Sequence, residues 1–199
     1  MNQPKVEELI LQSLEHEMGG TKIYDVALQC ANNKDLKEEW QKYLAETHNH
    51  VSKLRDVCEA LSIDPDRETP GRKVVRKVGQ ALQEAMQMAL SGGDRKAAEI
   101  VAAECVVLAE TKDHLDWELL SKCAEQLDGS AGAEVLRSAA DEVEDQEDRH
   151  LYHTRGFCRE LWIQSLGMKA SLPPMEEQQN VKTAVGAARA EKAADRERE

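Results

Sequence analysis

Apolar residues recur at spacings of three and four along most of the chain, as they do on helices with one buried face. Pro4 precedes the first such stretch, which runs to Ala31 and stops at Asn32-Asn33. A second begins at a cap on Asp35, with Glu38 three residues on, and reaches about Leu61. Residues 62–71 hold two prolines and a glycine and read as a loop. A shorter helix covers about 72–90 and ends at Ser91-Gly92-Gly93. Asp94 then caps a long helix to about Leu127, and after a turn a last helix runs from about Ala133 to Leu166. Past Gly167, Pro173-Pro174 leads into a stretch rich in Ala, Glu and Arg with few large apolar residues. The pattern predicts one helical domain over 1–167 and a mobile polar C-terminal tail over 168–199. Short loops inside each pair of long helices, and a long connection between the pairs, predict an all-α, antiparallel four-helix bundle. Its long crossover, between the second and third long helices, carries the short extra helix.

Composition agrees with helices. Aromatic residues make up only 4% of the 199, while strong helix formers dominate. The 38 acidic against 26 basic residues, net charge -12, argue against a nucleic-acid groove, which needs clustered Lys and Arg. No run approaches the ~18 apolar residues of a membrane span, so no membrane partner is expected. Five widely spaced cysteines without a CxxC pair read as buried thiols in a reducing, cytoplasmic setting.

The chain repeats itself weakly. Tyr24 to Ala31 (YDVALQCA) is similar to Trp117 to Ala124 (WELLSKCA), an offset of 93 residues that also places Glu17 on Glu110.

Stronger information lies where the inward-facing seams break. Seams of alternating spacing give Ile10, Leu14, Glu17, Thr21, Tyr24 and Leu28 on the first helix, and Trp40, Tyr43, Thr47, His50 and Leu54 on the second. The third long helix supplies Ala103, Val107, Glu110, His114 and Trp117, and the fourth Val143, Glu147, His150, Thr154 and Phe157. Each seam is apolar at its ends and polar near its middle, and antiparallel packing brings the four middles to one level. Glu17, Glu110 and Glu147 would then share a buried layer with His50, His114 and His150. An ionised carboxylate in an apolar interior must be paired or bound to a cation. A metal ion meets that need, because carboxylate oxygen and imidazole nitrogen are its ligands. Residues three or four apart sit one turn along the same helix face, so Glu147 with His150, Glu110 with His114 and Glu46 with His50 can each reach one ion. His48 and His153 fall off the seams and are expected on the surface.

A Glu, a Glu-x-x-His, a Glu and a Glu-x-x-His on four successive long helices resembles the ferritin-like di-iron carboxylate pattern. Glu147-Asp-Arg-His150 matches its last motif, and Glu17 with Tyr24 seven residues on is similar to the first-helix motif of bacterioferritins and rubrerythrins. The second helix departs from it: Thr47 stands where the family has Glu, with Glu46 one residue away. The resemblance implies a ferritin-like bundle over about 5–165 and a metal site of Glu17, Glu46, His50, Glu110, His114, Glu147 and His150. It implies one or two iron ions, with manganese as the alternative, oxygen or peroxide as reactant, and ferroxidase, peroxide-scavenging or oxidase activity. A homodimer stays open. The other expectation is a non-enzymatic stress or scaffold bundle with a structural metal or none.

Overall fold

A computed structural model describes residues 2–127 and 131–169; the tail from 170 onward and the turn at 128–130 lie outside them. Among the described residues there are five helices and no strand: α1 (Gln3–Cys30), α2 (Lys34–Ala60), α3 (Pro70–Ser91), α4 (Arg95–Gln126) and α5 (Ala131–Ser165). No helix among them is long and apolar enough to cross a membrane.

The helix starts follow local chemistry. Asn33, rather than the expected Asp35, caps α2, its side chain accepting from the backbone N–H of Asp35 and Leu36. An N-cap residue must sit outside helical dihedrals, and Asn33 is extended while Asp35 is already in the first turn, where its charge suits the helix dipole. Thr69 caps α3 ahead of Pro70, and Asp94 caps α4 as expected. After α2 the chain reverses through Ser62, at φ 56°, and the Ile63 amide closes on the Cys58 carbonyl at 2.8 Å.

Helix α1 packs against α2, α3 and α4, and α5 against α2 and α4. The four long helices therefore surround one interior, with α3 laid on the outside of α1 and α4. Neighbours run antiparallel: Trp40 and Lys53 of α2 meet Thr154 and Glu142 of α5, and Tyr24 and Glu17 of α1 meet Glu110 and Trp117 of α4. An ion-pair staple ties α3 to α1. The buried Glu15 accepts from Arg72 at 2.9 Å and Arg76 at 2.6 Å, while Arg72 also donates to the Pro65 and Arg67 carbonyls.

The interior is apolar at both ends. One end packs Ala27, Trp40, Met86, Ala103, Val106 and Phe157; the other packs Leu11, Leu14, Leu54, Leu120, Leu136 and Val143. Burying the Leu, Val, Met and Phe side chains among them stabilises by roughly 1.5–3 kcal/mol each. Between the two ends lies a polar layer of Glu17, Thr47, His50, Glu110, Asp113, Glu147 and His150, all fully or almost fully buried.

Candidate metal centre

Glu147 sits at the middle of this layer and belongs to two groups of potential ligands. With Glu17 and His50 it forms one, and with Glu110 and His150 the other; in each, the ligand atoms lie within 4.8 Å of one another. His50 Nδ1 is 3.3 Å from Glu17 Oε1 and 3.2 Å from Glu147 Oε1. His150 Nδ1 is 3.5 Å from Glu110 Oε2 and 3.4 Å from Glu147 Oε1. The two imidazoles stack at 5.7 Å between ring centroids.

Both histidines turn the same nitrogen inward. Their Nε2 atoms point away, His150 donating to Glu46 Oε2 at 2.8 Å and His50 meeting Gln146 Oε1 at 2.7 Å. Because a carboxylate can only accept, His150 carries its proton on Nε2, which leaves Nδ1 to face the acids. A neutral ring in that orientation would aim a lone pair at two carboxylates, so the arrangement calls for either an Nδ1 proton or a cation there. This outward bond to a carboxylate or amide is also how metal-ligating histidines are oriented.

Electrostatics match that reading. Burial acts to lower the His50 pKa, but Glu17 and Glu147 outweigh it and lift it to about 10. Burial likewise opposes the charged form of His150, and Glu147, Glu110 and Glu46 push its pKa well up. Glu147 would be raised by burial, yet the two histidines hold it at about 2. Glu17 is pushed up to about 7, chiefly by burial, and Glu110 is raised by burial and by the charge of Glu147.

The remaining valences are short of partners. Glu17 Oε2, Glu110 Oε2, both Glu147 oxygens and His50 Nδ1 are buried with no hydrogen bond. Buried polar atoms are nearly always satisfied, so orphaned ligand-type atoms converging on one place fit a bound cation. The other carboxylate oxygens are held by aromatic donors: Tyr24 donates to Glu110 Oε1 at 2.8 Å, and the Trp117 indole to Glu17 Oε1 at 2.7 Å.

The structure places the sequence-derived residues unevenly. Glu17, His50, Glu110, Glu147 and His150 come together. Glu46 is half-buried and reaches the far nitrogen of His150, outside both groups. His114 stands on the flank of α4, its Nδ1 3.4 Å from Asp148 Oδ1 and its ring against Tyr152, also outside both groups. The inward position one turn on from Glu110 is instead Asp113, 5% exposed, with Oδ1 unbonded. Burial and then the charges of Glu17, Glu147 and Glu110 raise its pKa far above the ordinary value. The seam of α4 reads Ala103, Val106, Glu110, Asp113, Trp117, Leu120 and Ala124, so the step after Glu110 is three rather than four. The signal was available in Glu110-x-x-Asp113, which repeats the spacing of Glu147-x-x-His150. His153, expected on the surface, is also buried, its Nδ1 2.7 Å from the Tyr43 hydroxyl. Thr47 turns its hydroxyl back to the Tyr43 carbonyl at 2.8 Å and contributes no ligand atom to the layer.

These features define a helical protein with a buried, metal-competent Glu/His layer enclosed by four long helices. The chain belongs to the family described as "Domain of unknown function (DUF892)", which matches residues 12–154 and lies within the ferritin-like superfamily. No curated protein and no solved structure matches it.

Proposed function

We propose that this chain is a ferritin-like four-helix bundle whose buried layer is a non-haem metal centre for iron, reacting with oxygen or peroxide. The observation that carries the reading is the set of orphaned atoms on Glu17, Glu110, Glu147 and His50 converging on Glu147. Glu17, His50 and Glu147 would hold one ion, and Glu110, Glu147 and His150 a second, with Glu147 between them. Carboxylate-rich sites with imidazole suit iron or manganese better than softer metals. Bound iron supplies one-electron chemistry towards dioxygen or peroxide, giving ferroxidase, peroxide-scavenging or oxidase activity.

The chain's own residues set the conditions for that chemistry. Glu46 and Gln146 fix the two rings so that Nδ1 faces inward. Tyr24 and Trp117 each hold one carboxylate oxygen and leave the other free. The apolar ends exclude water on both sides, which strengthens every charge interaction between them. The protons that reside on the inner nitrogens without metal must leave when an ion binds.

The test is anaerobic reconstitution of the full chain with Fe(II), followed by measurement of bound metal and then of oxygen and peroxide consumption. One to two ions per chain with turnover of either oxidant is expected. Near-zero metal defeats the proposal; bound metal inert to both oxidants favours a structural ion in a scaffold protein.

A further inference from the structure

On the outer side of the bundle, α1, α3 and α4 enclose a pocket of about 230 Å³. Its walls are Ile23, Val75, Leu82 and Ala109, with Val78 and Leu108 at the rim, 52% and 62% exposed. Two helix interiors carry glycine on its wall. A Cβ on Gly19 would meet nothing within 4 Å, and one on Gly79 only the Gly19 Cα at 4.0 Å. Packing therefore does not demand glycine at either position, although each costs its helix about 1 kcal/mol relative to alanine. Both glycines line the pocket.

The polar residues on the wall are already engaged. Glu15 is bonded by Arg72 and Arg76, the His16 ring bonds the Ala109 carbonyl at 3.0 Å, and Lys112 pairs with Asp116. Nothing on the wall calls for a polar or charged guest. An apolar cavity of about 150 Å³ in a protein core stays dry and takes up benzene. At 230 Å³ this pocket has room for one aromatic ring or a short alkyl chain.

We propose that the α1–α3–α4 pocket, with Gly19 and Gly79 on its wall, is a binding site for a small apolar molecule. It is separate from the Glu/His layer and does not depend on a metal there. His16 and Ala109, at its inner end, are the chain neighbours of Glu17 and Glu110, so a guest would lie one helix wall from the layer.

The probe is benzene, titrated into the metal-free full chain and followed by methyl NMR. Saturable shifts confined to Ile23, Val75, Val78, Leu82 and Leu108 are expected. Gly79→Leu fills the pocket and should weaken binding by more than about tenfold, a loss of about 1.4 kcal/mol. Leu108→Trp, at the exposed rim, blocks the mouth without touching the core and should do the same if Gly79→Leu does not fold. Absence of saturable shifts, binding unchanged in the variant or variants that fold, or shifts centred on the exposed Leu115 and Leu119 would each overturn the proposal. So would the same methyls shifting with protein concentration alone, which reports a second copy seated there.

Discussion

Tyr24 donates its hydroxyl to Glu110 across the bundle interior, and Trp117 returns the relation to Glu17. Tyr24 follows Glu17 by seven residues and Trp117 follows Glu110 by seven, so each acid is held by the aromatic belonging to the other. The weak 93-residue repeat thus has a three-dimensional expression, a crossed pair of hydrogen bonds around a pseudo-twofold. Tyr24→Phe removes only a hydroxyl and leaves Glu110 Oε1 unpaired in the buried layer. Hydrogen bonds to such groups contribute about 1–3 kcal/mol. Urea unfolding of the metal-free variant should show a loss of that order, and an unchanged midpoint would contradict the pairing.

Because Glu147 belongs to both ligand groups, its removal should differ in kind from removal of Glu17 or Glu110. Glu17→Ala and Glu110→Ala should each lower the bound metal by one ion or weaken a single binding phase. Glu147→Ala should abolish both phases. Titration with Fe(II) under argon distinguishes these outcomes; equal effects from all three would mean that Glu147 is not shared.

Asp113 and Glu147 are both buried but should respond oppositely to amidation. Burial and the charges of Glu17, Glu147 and Glu110 push the Asp113 pKa well up, which favours its neutral form, and Asp113→Asn mimics that form. Glu147 is held at about 2 by His50 and His150, so Glu147→Gln deletes the charge that both rings face. Thermal melts of metal-free protein should show Asp113→Asn within about 1 kcal/mol of the parent and Glu147→Gln several kcal/mol below it, since breaking a buried pair costs about 3–5 kcal/mol.

Stability and metal affinity should move in opposite directions with pH. His50 titrates near 10 when folded against an ordinary 6.5, so its contribution is complete below pH 6.5 and lost as pH rises through about 10. Glu17, at about 7 against 4.5, loses its contribution as pH rises through about 7. The metal-free protein should therefore become easier to unfold between pH 5 and 10. Metal competes with the same protons, so its affinity should rise over that range, with proton release seen by calorimetry in buffers of different ionisation enthalpy. Parallel slopes would place the titrating groups elsewhere.

Much of this arrangement was legible in the residue pattern, and the exceptions have physical reasons. Five of the seven proposed ligand residues fall together because a Glu or His on an otherwise apolar seam has nowhere to go but inward. His114 and Asp113 are adjacent, and both satisfy a three-or-four step after Glu110. The apolar residues on either side decide between them: Val106 and Leu120, rather than Val107 and Ser121, face the core, and that phase selects Asp113. His153 was hidden for a different reason. Its ring lies off the seam axis, and the Tyr43 hydroxyl on another helix gives its buried Nδ1 a partner. No spacing rule carries a contact between residues 110 positions apart.

Thr47 is where the pseudo-twofold breaks, and restoring it tests the whole layer. Thr47 and His50 of α2 have the three-residue spacing of Glu147 and His150 of α5, at an offset of 100 rather than 93, and the two imidazoles stack, so one of two equivalent carboxylates is missing. Space there is limited: the Thr47 methyl already lies 3.3 Å from where a Gly20 Cβ would stand. Thr47→Glu therefore adds a longer acid to a buried layer whose two histidines already face Glu17, Glu110 and Glu147. In the metal-free protein it should lower stability by about 1–3 kcal/mol, the usual cost of an unsatisfied buried polar group. With metal the sign should reverse. A carboxylate facing His50 completes the second half of the layer, so the variant should bind its ions more tightly than the parent and recover in thermal melts on addition of Fe(II). A variant destabilised equally with and without metal would show that the layer at Thr47 faces no ion, and the shared-Glu147 arrangement would have to be redrawn.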